Sequence, residues 1–347
     1  MAELRQDPVS GRWVIIATER AARPRDFRVG RGRRRGGFCP FCEGNEGRTP
    51  PEIYAIRAQG TAPNSPGWQV RVVSNKFPAL RPDAPLEGEQ SEFYNSVGGR
   101  GVHEVIIESP RHLVSPTEMS VEDFALGLQT CCERSRVLSA RPGIAYVLIF
   151  KNVGKEAGAS IEHMHSQLIA IPVMPKRTME EMRRCHDYYL EKGRCLFCAM
   201  VEWELERAER TIIDREGFLV LSPYAARSPF ELCVLPKGHR AHFYDLSVAE
   251  TRRLASVMQE ALARLELCLG GPPFNYVIHT TPVAMSETKY YHWHIEVIPR
   301  ITHLAGFELG TGFYINPMRP ESAAQHLRDV PERDVREAIA TLSSPDT

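Results

Sequence analysis

One metal-ligand pattern occurs twice in this chain of 347 residues, and it constrains the fold more than any other feature. Each copy reads Cys-x-x-Cys, then a single His, then His-x-His. The gap from the single His to the His-x-His pair is 51 residues in one copy and 53 in the other. Two thiolates and two imidazoles make a tetrahedral zinc set, so the pattern predicts two homologous halves with one zinc ion each. The predicted ligands are Cys39, Cys42, His112 and His163 in the first half and Cys195, Cys198, His239 and His292 in the second.

The repeat extends from the ligands to the predicted secondary structure. In each half an extended stretch leads into the single His, a helix begins at a serine (Ser120 or Ser247), and two strands follow, the second carrying His-x-His. This order predicts an α+β fold with antiparallel sheets and one helix per half. The predicted domains are residues 1–190 and 191–347. His242 is the alternative ligand in the second half, and His239 is preferred because it aligns with His112.

The composition excludes several function classes. Lys plus Arg and Asp plus Glu both total 43, so the net charge does not predict a nucleic-acid or membrane partner. No apolar run is long enough to cross a membrane and no signal-peptide core is present, which predicts a cytoplasmic protein with reduced cysteines. A basic, Gly-rich segment at residues 28–37 is interpreted as a solvated loop, with a phosphate or nucleic-acid contact as the alternative.

The predicted chemistry concentrates in residues 151–172. Alternation along a strand places His163, His165 and Gln167 on one face, so one His can face the zinc ion while the other, about 6–7 Å along, points into a cleft. The Gly/Ala/Ser-rich residues just upstream let backbone N–H groups approach an anion closely. An imidazole beside a phosphate cradle predicts that His165 is a nucleophile towards phosphorus. The alternative is a core histidine or a further metal ligand.

These residues resemble the galactose-1-phosphate uridylyltransferases and the related ADP-glucose phosphorylase-like proteins of the histidine-triad superfamily. The resemblance covers nearly the whole chain, and the segments that carry it are residues 7–13, 20–24, 39–42, 75–79, 109–112, 151–172 and 306–317. It implies that the first Cys/His set is a structural zinc site and that His165 becomes nucleotidylated. It also implies that Gln167 holds the non-bridging oxygens of the α-phosphate.

The resemblance further implies the substrates and their contacts. The expected partners are a nucleotide-sugar and a sugar phosphate, and a homodimer is expected. The residues expected to contact the nucleotide or its phosphates are Arg20, Arg23, Asn75, Asn152, Gly158 and Ser160. The second half lacks a counterpart of Gln167 and of the glycine loop, and it is expected to be structural. Its predicted contributions to the substrate pocket are His279, Thr280 or Asn316.

Three departures separate the chain from the better-known uridylyltransferases. Met164 replaces a proline, the second half keeps a complete Cys2His2 set, and residues 314–317 differ from the segment that grips the hexose phosphate. The expected activity is transfer between UDP-glucose and a hexose 1-phosphate, and these departures make ADP-glucose phosphorolysis an alternative. A histidine-triad hydrolase is disfavoured because Gln167, an amide, cannot shuttle protons. A non-catalytic zinc-containing binding module is disfavoured by the intact glycine loop.

Overall fold

The computed structural model describes residues 2–20, 27, 37–85, 87–285 and 288–343, without the side chains of residues 20 and 340–343. Within those ranges the chain forms thirteen strands and seven α-helices. The strands are β1 (Glu3–Gln6), β2 (Trp13–Ile16), β3 (Glu52–Arg57), β4 (Trp68–Ser74), β5 (Val102–Ile107), β6 (Tyr146–Val153), β7 (His165–Ile171), β8 (Thr211–Arg215), β9 (Phe218–Leu221), β10 (Leu232–Pro236), β11 (Phe274–His279), β12 (His294–Pro299) and β13 (Tyr314–Asn316). The helices are α1 (Val121–Ser139), α2 (Lys176–Lys192), α3 (Leu196–Arg207), α4 (Val248–Leu269), α5 (Gly306–Thr311), α6 (Pro320–Arg328) and α7 (Glu332–Ser343).

Ten of the strands form one continuous antiparallel sheet. Its order is β3-β4-β5-β7-β6-β11-β12-β10-β9-β8. From one edge inwards the order is β3, β4, β5, β7, β6, and from the other edge it is β8, β9, β10, β12, β11. In both sets of five, the two innermost strands are reversed relative to their order in the chain. The two sets meet at the antiparallel pair β6–β11, where Asn275 lies opposite Asn152. The mixed α+β class with antiparallel pairing is confirmed, and the sheet runs without a break across the two predicted halves.

The two long helices α1 and α4 lie against each other and against this sheet. Ser120 and Ser247 cap their N-termini as predicted, each accepting a hydrogen bond from the backbone N–H group three residues on. Glu250 also bonds back to the backbone of Ser247 and completes a capping box. The buried faces of both helices share one hydrophobic core with the strands. Burial of these apolar faces is the main driving force for the packing of the two helices on the sheet.

Strand β7 separates the core from the candidate site. Met164, just before the strand, and Leu168 and Ala170 within it are buried in the shared core. His165 and Gln167 alternate with them and therefore face the other side of the sheet. The strand begins at His165, so the prediction that His163 also lies in the strand was wrong. Met164 instead donates its backbone N–H to the carbonyl of Leu113, and its own carbonyl accepts from the backbone N–H of Glu108.

A smaller sheet lies outside the ten-stranded one. Strand β2 pairs with β1 in antiparallel and with β13 in parallel orientation, and so joins the first residues of the chain to residues 314–316. The predicted boundary between residues 190 and 191 falls in the last turn of α2. Gly193, with φ of 69°, caps the end of this helix. The basic segment at residues 28–37 lies outside the described residues except for Gly37. Among the helices of the described ranges, we find none that combines the length and the apolar character needed to cross a bilayer.

Candidate active site

The four predicted ligands of the first half come together. The candidate ligand atoms of Cys39, Cys42, His112 and His163 all lie within 4.8 Å of one another. The His163 Nδ1 atom is 3.5 Å from both Sγ atoms, and the His112 Nδ1 atom is 3.4 Å from Cys42 Sγ. In a tetrahedral zinc site with ordinary bond lengths, sulfur and nitrogen ligands lie about 3.5 Å apart. The donor set and its spacing therefore fit a zinc ion.

The second group has the same composition and similar geometry. The ligand atoms of Cys195, Cys198, His239 and His292 also lie within 4.8 Å of one another. Cys198 Sγ is 3.5 Å from Nδ1 of His239 and 3.9 Å from Nδ1 of His292. His239 thus belongs to this group, whereas the alternative ligand His242 stacks on the ring of Tyr244. Both groups can hold a metal ion.

The histidines of these groups are oriented by backbone carbonyl groups. The Nε2 atom of His163 lies 2.8 Å from the carbonyl oxygen of Ser109, and that of His292 lies 3.0 Å from the carbonyl of Gly238. A carbonyl oxygen accepts only, so each Nε2 atom carries the proton and each Nδ1 lone pair faces the thiols. Hydrogen bonds from the ring nitrogen that faces away from the metal fix the tautomer and the ring orientation of metal-binding histidines.

His165 lies two residues beyond His163, and it carries its proton on the other ring nitrogen. Its Nδ1 atom is 2.8 Å from the carbonyl oxygen of His163, so Nδ1 carries the proton and the Nε2 lone pair is left free. The side chain is only 7% exposed, and the ring of Phe41 contacts it edge-on at 5.2 Å between centroids. Burial lowers the pKa of His165 below its ordinary value, which favours the neutral, nucleophilic imidazole.

A cavity of about 430 Å³ opens beside His165. Of the predicted site residues, His165, Gln167, Asn75 and Ser160 line it. Its walls also include residues that the sequence analysis did not single out, namely three phenylalanines and two exposed cations: Phe38, Phe41, Phe77, Arg48 and Lys76. The Arg48 guanidinium lies 5.7 Å from the centre of the Phe38 ring. Aromatic faces together with cations suit a nucleobase and phosphate groups.

Gln167 lies at the centre of a small polar cluster. Its Oε1 atom is 2.9 Å from Nε2 of His103 and 3.5 Å from Nδ2 of Asn75. His103 is on β5, the neighbour of β7, at the position opposite Ile169. Because it belongs to no motif and is separated from Gln167 by 64 residues, only knowledge of the strand pairing could have identified it.

The predicted glycine loop lies between β6 and β7. Gly154 and Gly158 both have positive φ, 85° and 89°, and they flank a short 3-10 turn. A Cβ atom on Gly154 would meet Pro273 at 2.7 Å, so this position requires glycine for two reasons. The side chain of Asn275, on β11, donates to both Oδ1 of Asn152 and the carbonyl of Ala157, each at 2.7 Å. This second-half residue, which the sequence analysis missed, therefore positions both the loop and Asn152.

Two of the predicted substrate contacts, Asn316 and His279, do not line this cavity. Arg23 and the side chain of Arg20 lie outside the described part of the chain. Asn316 is buried, donates to the carbonyl of Ala226 and accepts from the backbone of Met318. His279 is also buried, with its Nε2 atom 3.1 Å from the Glu296 carboxylate. Bonds within the protein thus already engage the polar groups of both side chains.

The corresponding position in the second half is filled by protein. His294, the second histidine of that His-x-His, is fully buried, and burial lowers its pKa to about 4. It stacks on His279 with a centroid distance of 4.5 Å, and Glu181 of α2 completes a third group of possible metal ligands. The Glu181 carboxylate also binds Arg177 and accepts from the hydroxyl group of Tyr291. His294 is thus packed against His279 and close to a carboxylate, whereas His165 borders a cavity.

Glu296 lies two residues beyond His294, where the first half has Gln167. Arg177 binds both of its carboxylate oxygens at 2.7 Å, and Arg227 approaches to 2.9 Å. Although burial raises the pKa of Glu296, Arg227 and Arg177 outweigh that effect and hold it well below its usual value. A buried network of charges thus occupies the place that the cavity has in the first half.

Comparisons with known proteins agree with this geometry. Residues 1–175 match the family model described as galactose-1-phosphate uridyl transferase, N-terminal domain, and residues 100–340 match a domain of unknown function (DUF4921). The chain is 34% identical to the ADP-glucose phosphorylase of Arabidopsis thaliana, over 94% of this chain and 93% of that protein. It is 30% identical to the galactose-1-phosphate uridylyltransferase of Thermotoga maritima, over 95% and 98% of the two chains. The crystal structure of the Arabidopsis thaliana ADP-glucose phosphorylase with bound ADP-glucose aligns with a TM-score of 0.81 at 32% identity, covering 96% of this chain and 99% of that one.

A free imidazole Nε2 atom beside an amide and a glycine loop, on an antiparallel sheet with Cys/His groups, agrees with the nucleotidyltransferase class. The relatives are enzymes of that class. The chain belongs to the galactose-1-phosphate uridyl transferase family.

The double hydrogen bond from Asn275 leads to a first prediction. Replacing Asn275 with Asp points a carboxylate at two carbonyl-type oxygens, and the lost bonds and the repulsion should displace Asn152 and the glycine loop. We expect nucleotidyl transfer to slow by roughly 10- to 100-fold, from about 1–3 kcal/mol of unpaired polar groups, with a smaller loss for Asn275→Ala. Steady-state rates measured beside the thermal midpoint test this. Gln59→Glu, which makes the same amide-to-carboxylate change at an exposed turn outside the cavity lining, is the control. A wild-type rate in Asn275→Asp would contradict the assignment.

Proposed function

We propose that this protein transfers a nucleoside monophosphate from a nucleotide-sugar to a sugar 1-phosphate through a covalent nucleotidyl-His165 intermediate. The observation that carries the proposal is the bond from His165 Nδ1–H to the carbonyl of His163, which leaves the Nε2 lone pair free next to Gln167 and the cavity. Catalysis by a positioned nucleophile and by fixed hydrogen-bond donors is what phosphoryl transfer requires.

The first step forms one bond to phosphorus and breaks another. The Nε2 atom of His165 attacks the α-phosphorus of the nucleotide-sugar, the P–O bond to the β-phosphate breaks, and hexose 1-phosphate leaves with the electron pair. The imidazole keeps its Nδ1 proton and carries the positive charge, which the carbonyl oxygen of His163 stabilises. The amide N–H groups of Gln167 and the hydroxyl group of Ser160 donate to the equatorial oxygens.

The second step reverses the first with a different phosphate. An oxygen of the acceptor phosphate attacks the nucleotidyl phosphorus, the P–N bond breaks, and His165 recovers its lone pair. The histidine neither gains nor loses a proton in either step. Gln167 suits this transfer chemistry, because an amide can hold phosphate oxygens but cannot take a proton from water as a third histidine would.

Donor and acceptor follow from the family with one competing possibility. We propose UDP-glucose as the donor and a hexose 1-phosphate, galactose 1-phosphate first, as the acceptor. The second candidate is adenylyl transfer from ADP-glucose to phosphate. It is favoured by the 34% identity to a plant ADP-glucose phosphorylase and by the close fit to the ADP-glucose complex of that enzyme.

We further propose that the chain arose from a duplication and that residues 191–347 are a non-catalytic half. The matching strand orders and the two equivalent Cys/His groups support the duplication. The buried His294 and the ion network around Glu296 support the loss of chemistry in the second half. A cytoplasmic location is proposed as well, because a Cys2His2 zinc site needs thiols that have not been oxidised to disulfides.

The metal content is the second prediction. Two zinc ions per chain are expected, since each Cys2His2 set completes a tetrahedron and leaves no open position for Lewis-acid chemistry. Their role is to hold the fold together, so Cys39→Ser and Cys195→Ser should each lower the zinc content by one ion and destabilise the protein. Elemental analysis of the purified protein measures this. Cys268→Ser, which alters a cysteine outside both sets, is the control, and a content of one ion or none would refute the two-site claim.

The covalent intermediate is the third prediction. Incubation with UDP-glucose carrying ³²P at the α-phosphate should label the wild-type protein, and the label should be acid-labile because it is a phosphoramidate. His165→Gly should abolish labelling and leave zinc content and folding intact, because His165 is not a ligand. An adduct that still forms at the normal rate in His165→Gly would exclude this residue as the nucleophile.

A chase experiment with the same labelled protein identifies the substrates. Parallel labelling with UDP-, ADP- and GDP-sugars shows which nucleotide is accepted. Addition of galactose 1-phosphate, glucose 1-phosphate or inorganic phosphate then shows which acceptor removes the label. Release by galactose 1-phosphate after labelling from UDP-glucose supports the first candidate. Release by phosphate after labelling from ADP-glucose supports the second, and release by water alone would indicate a hydrolase.

The oligomeric state is the fourth prediction. We propose a homodimer that uses the connection between β4 and β5, where Phe77, Phe93 and Tyr94 are between 78% and 84% exposed. Light scattering should give twice the chain mass of 39.2 kDa. Combined Phe93→Asp and Tyr94→Asp changes should shift the mass towards one chain, whereas Leu190→Asp on α2 should not. A monomeric wild type at micromolar concentration would contradict the proposal.

A further inference from the structure

The side-chain oxygen of Gln167 is already engaged by the protein. The Nε2 atom of His103 lies 2.9 Å from this oxygen, and the Nδ2 atom of Asn75 lies 3.5 Å from it. An amide oxygen accepts hydrogen bonds and an amide nitrogen donates them. Which end of the Gln167 amide faces the cavity therefore depends on whether His103 and Asn75 present donors to Oε1.

The backbone of Ala79 decides the tautomer of His103. Its N–H group points at Nδ1 of His103 from 3.2 Å, and a backbone N–H can only donate. The Nδ1 atom is therefore the acceptor, so the neutral ring carries its proton on Nε2 and donates it to Gln167. Burial also lowers the pKa of His103, in agreement with a ring that stays neutral.

Asn75 is oriented by a similar argument. The backbone N–H of Phe77 donates to Oδ1 of Asn75 at 2.9 Å, so the other end of this amide is the NH2 group. That group lies 3.1 Å from Nε2 of His103 as well as near Gln167. Since Nε2 of His103 is itself a donor, the oxygen of Gln167 is the acceptor that both donors share.

We propose that His103 is a positioning residue that fixes the amide of Gln167 with its oxygen towards the protein and its NH2 group towards the α-phosphate. This inference rests on the proposed function. Without the donor on His103, the Gln167 amide can rotate and present its oxygen to the phosphate, where the partial negative charge of that oxygen is repelled by the phosphate oxygens. The fixed amide presents donors to the reacting phosphate before the substrate arrives, and such preorganisation is a large part of phosphoryl-transfer catalysis.

The test is a single-turnover measurement of nucleotidyl-enzyme formation with the donor that labels the wild type. His103→Leu should slow adduct formation about tenfold, the effect of losing one hydrogen bond that orients a catalytic group. His103→Gln, which can return an N–H donor to Gln167, should recover most of the rate. His326→Leu changes a half-buried histidine remote from the cavity and should leave the rate unchanged. A wild-type rate in His103→Leu, or no difference between the Leu and Gln variants, would overturn the proposal.

A double-mutant cycle distinguishes positioning from a general structural role. If His103 acts through Gln167, the effect of His103→Leu should disappear in a Gln167→Ala background. An undiminished tenfold effect in that background would overturn the proposal even if the single variant is slow. Wild-type protein that forms no adduct with any donor would overturn the proposed function and this inference with it. Normal wild-type labelling combined with an unchanged His103→Leu rate would overturn this inference alone.

The tautomer of His103 provides a second measurement that needs no variant to fold. Long-range ¹H–¹⁵N correlation spectra of the wild-type zinc protein distinguish a ring protonated on Nε2 from one protonated on Nδ1 and from the doubly protonated ring. We expect the neutral Nε2–H form of His103 at neutral pH. Either of the other two forms would remove the geometry on which the proposal depends and would overturn it.

Discussion

The hydrogen bond from Nδ1–H of His165 to the carbonyl oxygen of His163 joins the candidate metal group to the candidate nucleophile over 2.8 Å. His163 contributes its ring nitrogen to the Cys/His group and its carbonyl oxygen to the ring of His165. A metal ion that holds His163 in place therefore also sets the tautomer and direction of His165. In the proposed mechanism, the geometry of the nucleophile would thus depend on the Cys/His group without any contact between metal and substrate.

Side chains on the core face of β7 also restrain this strand. Ser166, the residue between His165 and Gln167, donates to the Glu108 carboxylate, and Lys151 on β6 binds that carboxylate as well. All three side chains are at most 2% exposed. Breaking a buried ion pair by removing one partner costs about 3–5 kcal/mol, so this contact strongly restrains the strand. The candidate nucleophile His165 is therefore restrained from both faces of the strand. On the core face, Ser166 bonds to the Glu108–Lys151 ion pair, and on the cavity face the ring of His165 bonds to the carbonyl of His163.

The sequence analysis succeeded where an arrangement follows from residue type and spacing. The grouping of both Cys/His sets and the N-caps at Ser120 and Ser247 were predicted correctly because each is marked by a local motif or by its repeat. The roles of His163 and His165 stay predictions. The positions of His103 and Asn275 could not be predicted in this way. Their contacts reach Gln167 and Asn152 across neighbouring strands, and they depend on the pairing of β5 with β7 and of β6 with β11. The pairing of β6 with β11 joins the two predicted halves in one sheet, and the repeat in the sequence does not specify this pairing.

In the second half, charged side chains of the protein occupy the position that the cavity has in the first half. Glu296 stands where Gln167 stands in the first half, and a carboxylate there would repel a phosphate that the amide can bind. Arg177 and Arg227 pair with this carboxylate, and Arg177 comes from α2, the helix that leads out of the first half. Two arginines and the buried carboxylates of Glu181, Glu231 and Glu296 thus form an internal network at this position. The same antiparallel framework therefore holds a cavity in one set of five strands and a buried ion network in the other.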